Sequence, residues 1–203
     1  MIVDPGAADP RNVYKLMIGA IVPRPIAFVS TISPDGILNL APFSFFMGVC
    51  ANPPVIAFAP TIRPTDGRQK DTLNNIEATR EFVVNIVSEE FAEKMKQCSG
   101  EYPPQVDEFA VSGLTPVASD VVKPPRVAES KVNMECRLFQ LVRISEKPLG
   151  GSVVLGEIVR FHVDDALIDD FRIDPDKLRA IGRMGGSGYA RTRDRFELVR
   201  PKT

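Results

Sequence analysis

The sequence predicts a mainly β fold with a few helices, a single barrel or sandwich. Three observations carry that prediction. About six or seven apolar runs rich in β-branched and aromatic residues follow one another closely. Turn residues fill the gaps between them, with 18 prolines in the chain. Helical spacing, by contrast, holds in only a few segments. Short strands separated by turn chemistry at close intervals are the pattern of a closed or two-layered sheet.

Ile26 to Ser33 (IAFVSTIS) opens the series, Pro34-Asp35-Gly36 turns the chain, and Ile37 to Ala41 returns, which reads as a hairpin. Phe43 to Cys50 and Val55 to Ala59 are two further apolar runs, parted by the breaker Asn52-Pro53-Pro54. Phe82 to Val87 is another strand. Val132 to Ile144 and Val153 to Val163 flank the turn Pro148-Leu149-Gly150-Gly151 and form a second, longer hairpin. A helix is expected over Asp71 to Arg80, with Leu73, Ile76 and Glu77 at helical spacing and Asp71 or Thr72 able to cap it. Another is expected over Ser88 to Gln97, where Phe91 and Met95 stand four apart behind a serine cap. Asp174-Pro175-Asp176 pairs an N-cap with proline in the first turn and starts a short helix through Ile181. The proline-rich stretch 99–130 lacks periodicity and is expected as a long loop over the barrel. Residues 172–203 read as a C-terminal extension of one domain spanning 1–203.

Composition narrows the function classes. The chain has 203 residues, 44% hydrophobic and 25% charged, with a formal net charge of −1 and no basic block. That is an ordinary globular balance with no electrostatic footprint for nucleic acid. Three cysteines without CxxC spacing argue against a disulfide framework or a zinc site and suit a reducing cytoplasm; each is expected as a buried thiol. The N-terminus shows no signal-peptide pattern. Gly36 to Ile62 is uncharged and long enough to span a bilayer, but Pro42, Pro53, Pro54 and Pro60 interrupt it. Short buried strands are expected there, and no membrane helix.

The absent chemistry is informative too. His162 is the only histidine, which excludes a multi-histidine metal centre. No G-x-S-x-G elbow and no G-x-G-x-x-G fingerprint occurs, and Gly185-Gly186-Ser187-Gly188 lacks the Lys-Ser/Thr ending of a phosphate loop. With so few candidate acids, bases or nucleophiles, a cofactor is the natural carrier of chemistry. Lys70-Asp71-Thr72 is the best anchor for one: a lysine and a threonine at a helix start, where free N–H groups and the dipole favour a phosphate monoester. The same tripeptide also reads as an exposed lysine beside a capping pair. In Asn39-Leu40-Ala41-Pro42-Phe43-Ser44-Phe45-Phe46, the polar residues, with Ser30-Thr31, would face a flat heteroatom-bearing ring while the phenylalanines pack around it. A bulge or strand switch is the competing account.

The blocks Arg24 to Phe46, Asn52-Pro53-Pro54, Lys70 to Ile76 and Glu81 to Asn85, in this order and spacing, resemble the flavin reductase-like FMN-binding proteins of the split-barrel fold. Gly182 to Tyr189 resembles the tail of the longer members. The resemblance implies a split β-barrel with Greek-key-like connections, a homodimer, and FMN in a cleft between subunits. It implies that Val29, Ser30 and Thr31, with Asn39, Ala41, Pro42, Phe43 and Ser44, line the flavin ring. Lys70, Asp71 and Thr72 would grip the phosphate, and Arg183 and Tyr189 would lie near the flavin. His162 is a candidate neighbour of a nicotinamide, or a packed and hydrogen-bonded strand residue. The implied activity is hydride transfer from NADH or NADPH to flavin, with reduced flavin or electrons passed to an oxygenase or electron-transfer protein. A flavoredoxin-like carrier, an FMN enzyme acting on an organic substrate and a flavin-free structural dimer are the alternatives.

Overall fold

The computed structural model describes residues 1–201. Seven antiparallel strands make one sheet: β1 (Ala27–Ile32), β2 (Leu38–Phe43), β3 (Phe46–Ala51), β4 (Pro54–Phe58), β5 (Glu81–Ile86), then, beyond two-residue strands β6 (Pro116–Val117) and β7 (Arg126–Val127), the long β8 (Val132–Arg143) and β9 (Ser152–Val163). Their order is β2-β1-β5-β8-β9-β4-β3. Both expected hairpins form, β1 on β2 and β8 on β9. The two edge strands, β2 and β3, are joined directly through Ser44 and Phe45, so the chain itself brings the two ends of the curled sheet together.

Both faces of β1 are covered, which is why its sequence is apolar without alternation. One face sends Ala27 and Val29 into the interior with Phe43, Phe58, Phe82, Val84 and Ile158. Ring centroids there lie 5.1 Å apart for Phe43–Phe58 and 5.5 Å for Phe58–Phe82. The other face sends Phe28, with Ile26 and Leu40, into a second cluster beneath α3 (Ala92–Gln97) and α4 (Glu108–Ser112). Helix α2 (Asp71–Thr79) adds Leu73 and Ile76 to the interior cluster.

Several expectations need correcting. Helix α1 (Pro10–Ala20) was not anticipated; Asp9 caps it and Pro10 sits in its first turn, yet none of its residues is buried. The 99–130 stretch is not a plain loop, since it carries α4, capped by Asp107, and the β6–β7 pair. Neither Asp71 nor Thr72 caps α2: Lys70 holds the N-cap position and no side-chain cap bond forms. Ser88 likewise makes no cap bond, and a 3₁₀ turn (Glu89–Phe91) precedes α3. Helix α5 (Pro175–Leu178) has the expected Asp174 cap but stops at Arg179, which is left-handed at φ 52°. Ile181 instead begins β12 (Ile181–Arg183), which pairs with β13 (Tyr189–Arg191). The pair β10 (Ile168–Asp169) and β11 (Arg172–Ile173) completes the strands among the described residues. Cys98 and Cys136 are buried, but Cys50, on the edge strand β3, is exposed. No helix among the described residues is long and apolar enough to cross a membrane.

Candidate functional site

Two hollows meet at Pro42 and Ser99. The first, about 70 Å³, is lined by Asn39, Ala41, Pro42 and Phe43 of β2, by Arg63, by Lys70, Asp71 and Thr72 at the start of α2, and by Cys98 to Gly100, Tyr102 and Glu108. The second, about 100 Å³, adds Ile26, Ser44, Met95, Lys96, Arg183 and Tyr189. From there the groove widens. One hollow of about 410 Å³ continues past Lys96 and Tyr189. Another of about 400 Å³, walled by Pro23, Phe45, Phe46 and Phe58, shares Ser44.

The groove thus gathers residues from three of the sequence blocks. Asn39, Ala41, Pro42, Phe43, Lys70, Asp71 and Thr72 surround the first hollow, and Ser44, Arg183 and Tyr189 the second. Val29, Ser30 and Thr31 line neither. Val29 sits in the interior cluster. Ser30 is buried and donates its hydroxyl to the Pro125 carbonyl at 2.5 Å. Thr31 reaches the groove only through Asn39, donating to its Oδ1 at 3.2 Å.

Asn39 organises the small chamber. Its Oδ1 also accepts from the Thr72 hydroxyl at 2.7 Å, and its Nδ2 donates to both oxygens of Glu108, at 3.0 and 3.1 Å. The Leu40 N–H gives Glu108 Oε2 a further bond at 3.0 Å. Burial nevertheless pushes the Glu108 carboxyl above its ordinary range, with those donors opposing the shift. The Thr72 hydroxyl is therefore committed to Asn39. What α2 offers an anion is the backbone N–H groups of Asp71 and Thr72, since those of Leu73 and Asn74 already donate to the Lys70 carbonyl.

The cations of the chamber are Lys70 and Arg63. Burial lowers the Lys70 pKa, with Glu101 pulling the other way and Arg63 reinforcing the drop. Arg63 pairs with Asp71 at 2.7 Å, and its Nε is buried with no partner among the described residues. A buried donor without an acceptor marks a site prepared for an additional one. Cys98 lines the chamber as well, but burial pushes its thiol up to about 11, so it is no nucleophile at neutral pH.

Arg24 lines the apolar hollow of about 400 Å³ and reaches the second one only through Ser44, which the two share. Its buried guanidinium donates to Ser44 Oγ at 3.2 Å, to the Ile18 and Ile21 carbonyls at 2.7 Å each, and to the Met184 carbonyl at 3.0 Å. One side chain thereby fixes α1, the β2–β3 connection and the tail. Arg183 lies over the Tyr189 ring, 4.6 Å from its centroid.

His162 is elsewhere. Its Nε2 lies 2.6 Å from Glu135, in a separate polar hollow with Arg126, Lys131 and Asn133. Glu135 is fully buried. Burial alone would raise its carboxyl, but the N–H groups of Asp120, Val121 and Val122 and the His162 ring hold it below the usual range.

Sequence reasoning missed Arg63, Glu108 and the Cys98–Tyr102 wall. Arg63 stands in a stretch with no periodicity. Glu108 meets Asn39 across 69 residues of chain, a contact no local pattern announces.

The mainly β barrel, with a cationic chamber at a helix start opening into broader hollows, is the architecture of the split-barrel class. Over residues 18–175 the chain matches the flavin reductase like domain, and it belongs to that family. It is similar to nitrilotriacetate monooxygenase component B from Bacillus cereus, with a TM-score of 0.92 and 35% identity over 98% of each chain. It is also similar to the 2-nitrobenzoate 2-nitroreductase of Pseudomonas fluorescens, with a TM-score of 0.89 and 32% identity over 99% of this chain and 96% of that one. A protein of Shewanella frigidimarina with a split barrel domain matches with a TM-score of 0.82 and 26% identity, covering 97% and 96%.

Proposed function

We propose that the protein is an FMN-dependent oxidoreductase that passes a hydride from NADH or NADPH to flavin and supplies reduced flavin or electrons to a partner protein. The observation that carries this reading is the groove: a phosphate-sized chamber with Arg63, Lys70 and the α2 N-terminus, continuous through Pro42 and Ser99 with room for a ring system. The residues fit the cofactor. Arg63 has an unpartnered buried Nε, and Lys70 and the first N–H groups of α2 add a point charge and donors for a phosphate monoester.

When bound, flavin supplies the two-electron chemistry. The chain's own residues bind, orient and keep water out. In this reading Arg63, Lys70, Asp71 and Thr72 hold the phosphate end. Asn39, Ala41, Pro42, Phe43 and Ser44 form the wall for the ring. Val29, Ser30 and Thr31 support that wall from behind, and Arg183 and Tyr189 close its far side. No general acid or base is required, which agrees with a groove whose one thiol is inert and whose one buried carboxyl is tied to Asn39 and Leu40. His162, paired with Glu135, serves here as a strand-to-loop fastener.

The protein works as a homodimer in this reading. Support comes from α1, which buries none of its residues and exposes Tyr14, Leu16 and Met17, and from edge strand β3, which exposes Met47 and Val49. Such unpartnered apolar surface beside the groove suits a subunit interface. Similarity to a monooxygenase component B favours an oxygenase as the recipient of reduced flavin.

A second reading has its own support. The apolar hollow of about 400 Å³ beside Ser44 and the 32% identity to a nitroreductase favour direct reduction of an aromatic organic substrate. One anaerobic experiment separates the two. FMN-loaded protein is mixed with NADH and with NADPH while the visible band of oxidised flavin is followed. Fast bleaching without any organic substrate is the expected result. Anaerobic addition of a nitroaromatic acid to the bleached protein that restores the oxidised band, with loss of the nitro compound, would favour the second reading, and failure to bind flavin would refute both.

A further inference from the structure

The small chamber is closed on one side by the segment that follows α3. Gly100 and Tyr102 line it, and Glu101, between them, turns its carboxylate toward the opposite loop. There Glu101 Oε2 accepts from the Thr65 hydroxyl at 2.6 Å, while Oε1 lies 4.0 Å from Lys70 Nζ. The Tyr102 hydroxyl donates to the Gln97 carbonyl at 3.1 Å, and its ring packs on Gly100, where an added Cβ would come within 2.8 Å of it. The wall is therefore fastened at Glu101 to the loop carrying Arg63 and Lys70, and at Tyr102 to the end of α3.

The size of what is enclosed follows from that fastening. At about 70 Å³ the chamber is well below the roughly 300–1,000 Å³ of a site that takes a whole small-molecule ligand. It suits a terminal headgroup; its lining includes the exposed Ser99 and Gly100, and it continues past Pro42 and Ser99 to the broader hollows. A flavin mononucleotide ends at its phosphate. A flavin dinucleotide continues from that phosphate to a second phosphate and an adenosine, and this continuation needs an exit through the wall that Glu101 and Tyr102 close. The Glu101 carboxylate also sets a negative charge where the second phosphate would pass.

We propose that Glu101 and Tyr102 select the flavin: by fastening the far wall of the phosphate chamber they admit a mononucleotide and exclude a dinucleotide. This inference rests on the reading of the chamber as the phosphate seat. It assigns a specificity role to a surface segment that carries no cofactor-contacting charge of its own. Gly100 belongs to the same device, because only a residue without a Cβ lets the Tyr102 ring lie against the backbone at that point.

The test is equilibrium titration of the full-length protein with riboflavin, FMN and FAD, followed by quenching of flavin fluorescence. Wild type, Glu101→Ala and Tyr102→Ala are compared, with urea unfolding as the control for folding. The Glu101 side chain is 35% exposed on a surface segment, so its truncation leaves the core intact. Wild type is expected to bind FMN at least tenfold more tightly than either riboflavin or FAD. In each variant the FMN preference over FAD is expected to shrink at least fivefold, chiefly through tighter FAD binding, while FMN still exceeds riboflavin. Equal affinity of wild type for FMN and FAD, or an unchanged ratio in both folded variants, would overturn the inference and leave the phosphate seat standing. Equal affinity of wild type for FMN and riboflavin would overturn the phosphate seat itself, and this inference with it.

Discussion

Replacing Asn39 by alanine tests the centre of the site. Asn39 is 8% exposed and serves four groups at once: both oxygens of Glu108, the Thr72 hydroxyl and the Thr31 hydroxyl. In Asn39→Ala, Glu108 keeps only the Leu40 N–H, and the Thr72 hydroxyl loses its acceptor inside the fold. A hydrogen bond to a charged group contributes about 1.5–3 kcal/mol, and a buried polar group left unsatisfied costs about 1–3 kcal/mol. The expected loss is therefore about 3–5 kcal/mol, a large part of the roughly 5–15 kcal/mol that holds a domain together. With a urea slope of about 2 kcal/mol per molar, the unfolding midpoint should fall by roughly 2 M. Asn39→Asp supplies the electrostatic control. It brings a second carboxylate to Glu108, is at least as destabilised at neutral pH, and recovers on acidification as the two carboxyls come to share a proton. A loss below about 1 kcal/mol in Asn39→Ala, or an Asn39→Asp variant with no acid recovery, would refute the network as the organiser of the chamber.

Glu108→Gln probes the buried carboxyl through pH. Because burial raises the folded-state pKa of Glu108, the stability tied to its protonated form is complete below the unfolded value of about 4.3 and is lost as pH rises through the folded value. Wild type should therefore gain on the Gln variant as pH falls from neutral toward that unfolded value; urea midpoints at matched pH read the difference, and a constant gap would contradict the assignment. Gly156→Ala probes the barrel interior. A Cβ there would overlap the Phe82 ring, meeting Cε1 at 2.9 Å, and overpacking of this kind costs about 1–3 kcal/mol or more. Thermal unfolding should show a clearly lowered midpoint, and an unchanged one would mean that the ring has space to retreat.

What could be read from the sequence was what local chemistry decides. Pro34-Asp35-Gly36 between two apolar runs specifies the β1–β2 hairpin, and Gly36 takes the φ of 85° that its turn needs. The β8–β9 hairpin follows from length and a proline-glycine turn in the same way. Helix α5 was legible because Asp174 and Pro175 name its start. Asp9 and Pro10 make the same statement for α1, but its apolar residues point to no core of this chain, so periodicity against a core could not find it. The groove was half legible. Its β2 and α2 residues lie in compact motifs, whereas Arg63 and the 98–108 wall join them only by folding across tens of residues. The committed Thr72 hydroxyl shows the limit of motif reading: the tripeptide marks the place, and the tertiary partner decides which atom is available.

The polar residues within the apolar stretch Asn39 to Phe46 now have a physical account. β2 is an edge strand, hydrogen-bonded only to β1, and an edge tolerates Pro42, whose missing N–H would break a ladder on a central strand. The same edge position leaves the side chains of β2 available to segments arriving from elsewhere. Asn39 receives Glu108 and with it the wall of the small chamber. Ser44 receives Arg24, which in turn holds the tail at Met184 and α1 at Ile18 and Ile21. Each polar residue is thus a fastening point for distant segments, Asn39 for Glu108 and Thr72, Ser44 for Arg24, and Pro42 lies between them where the two hollows meet. An apolar edge in their place would still close the barrel by burial. It would leave the 98–108 wall and the tail without the directional bonds that hold them over the groove, so the strand that ends the sheet is also the strand on which the site is assembled.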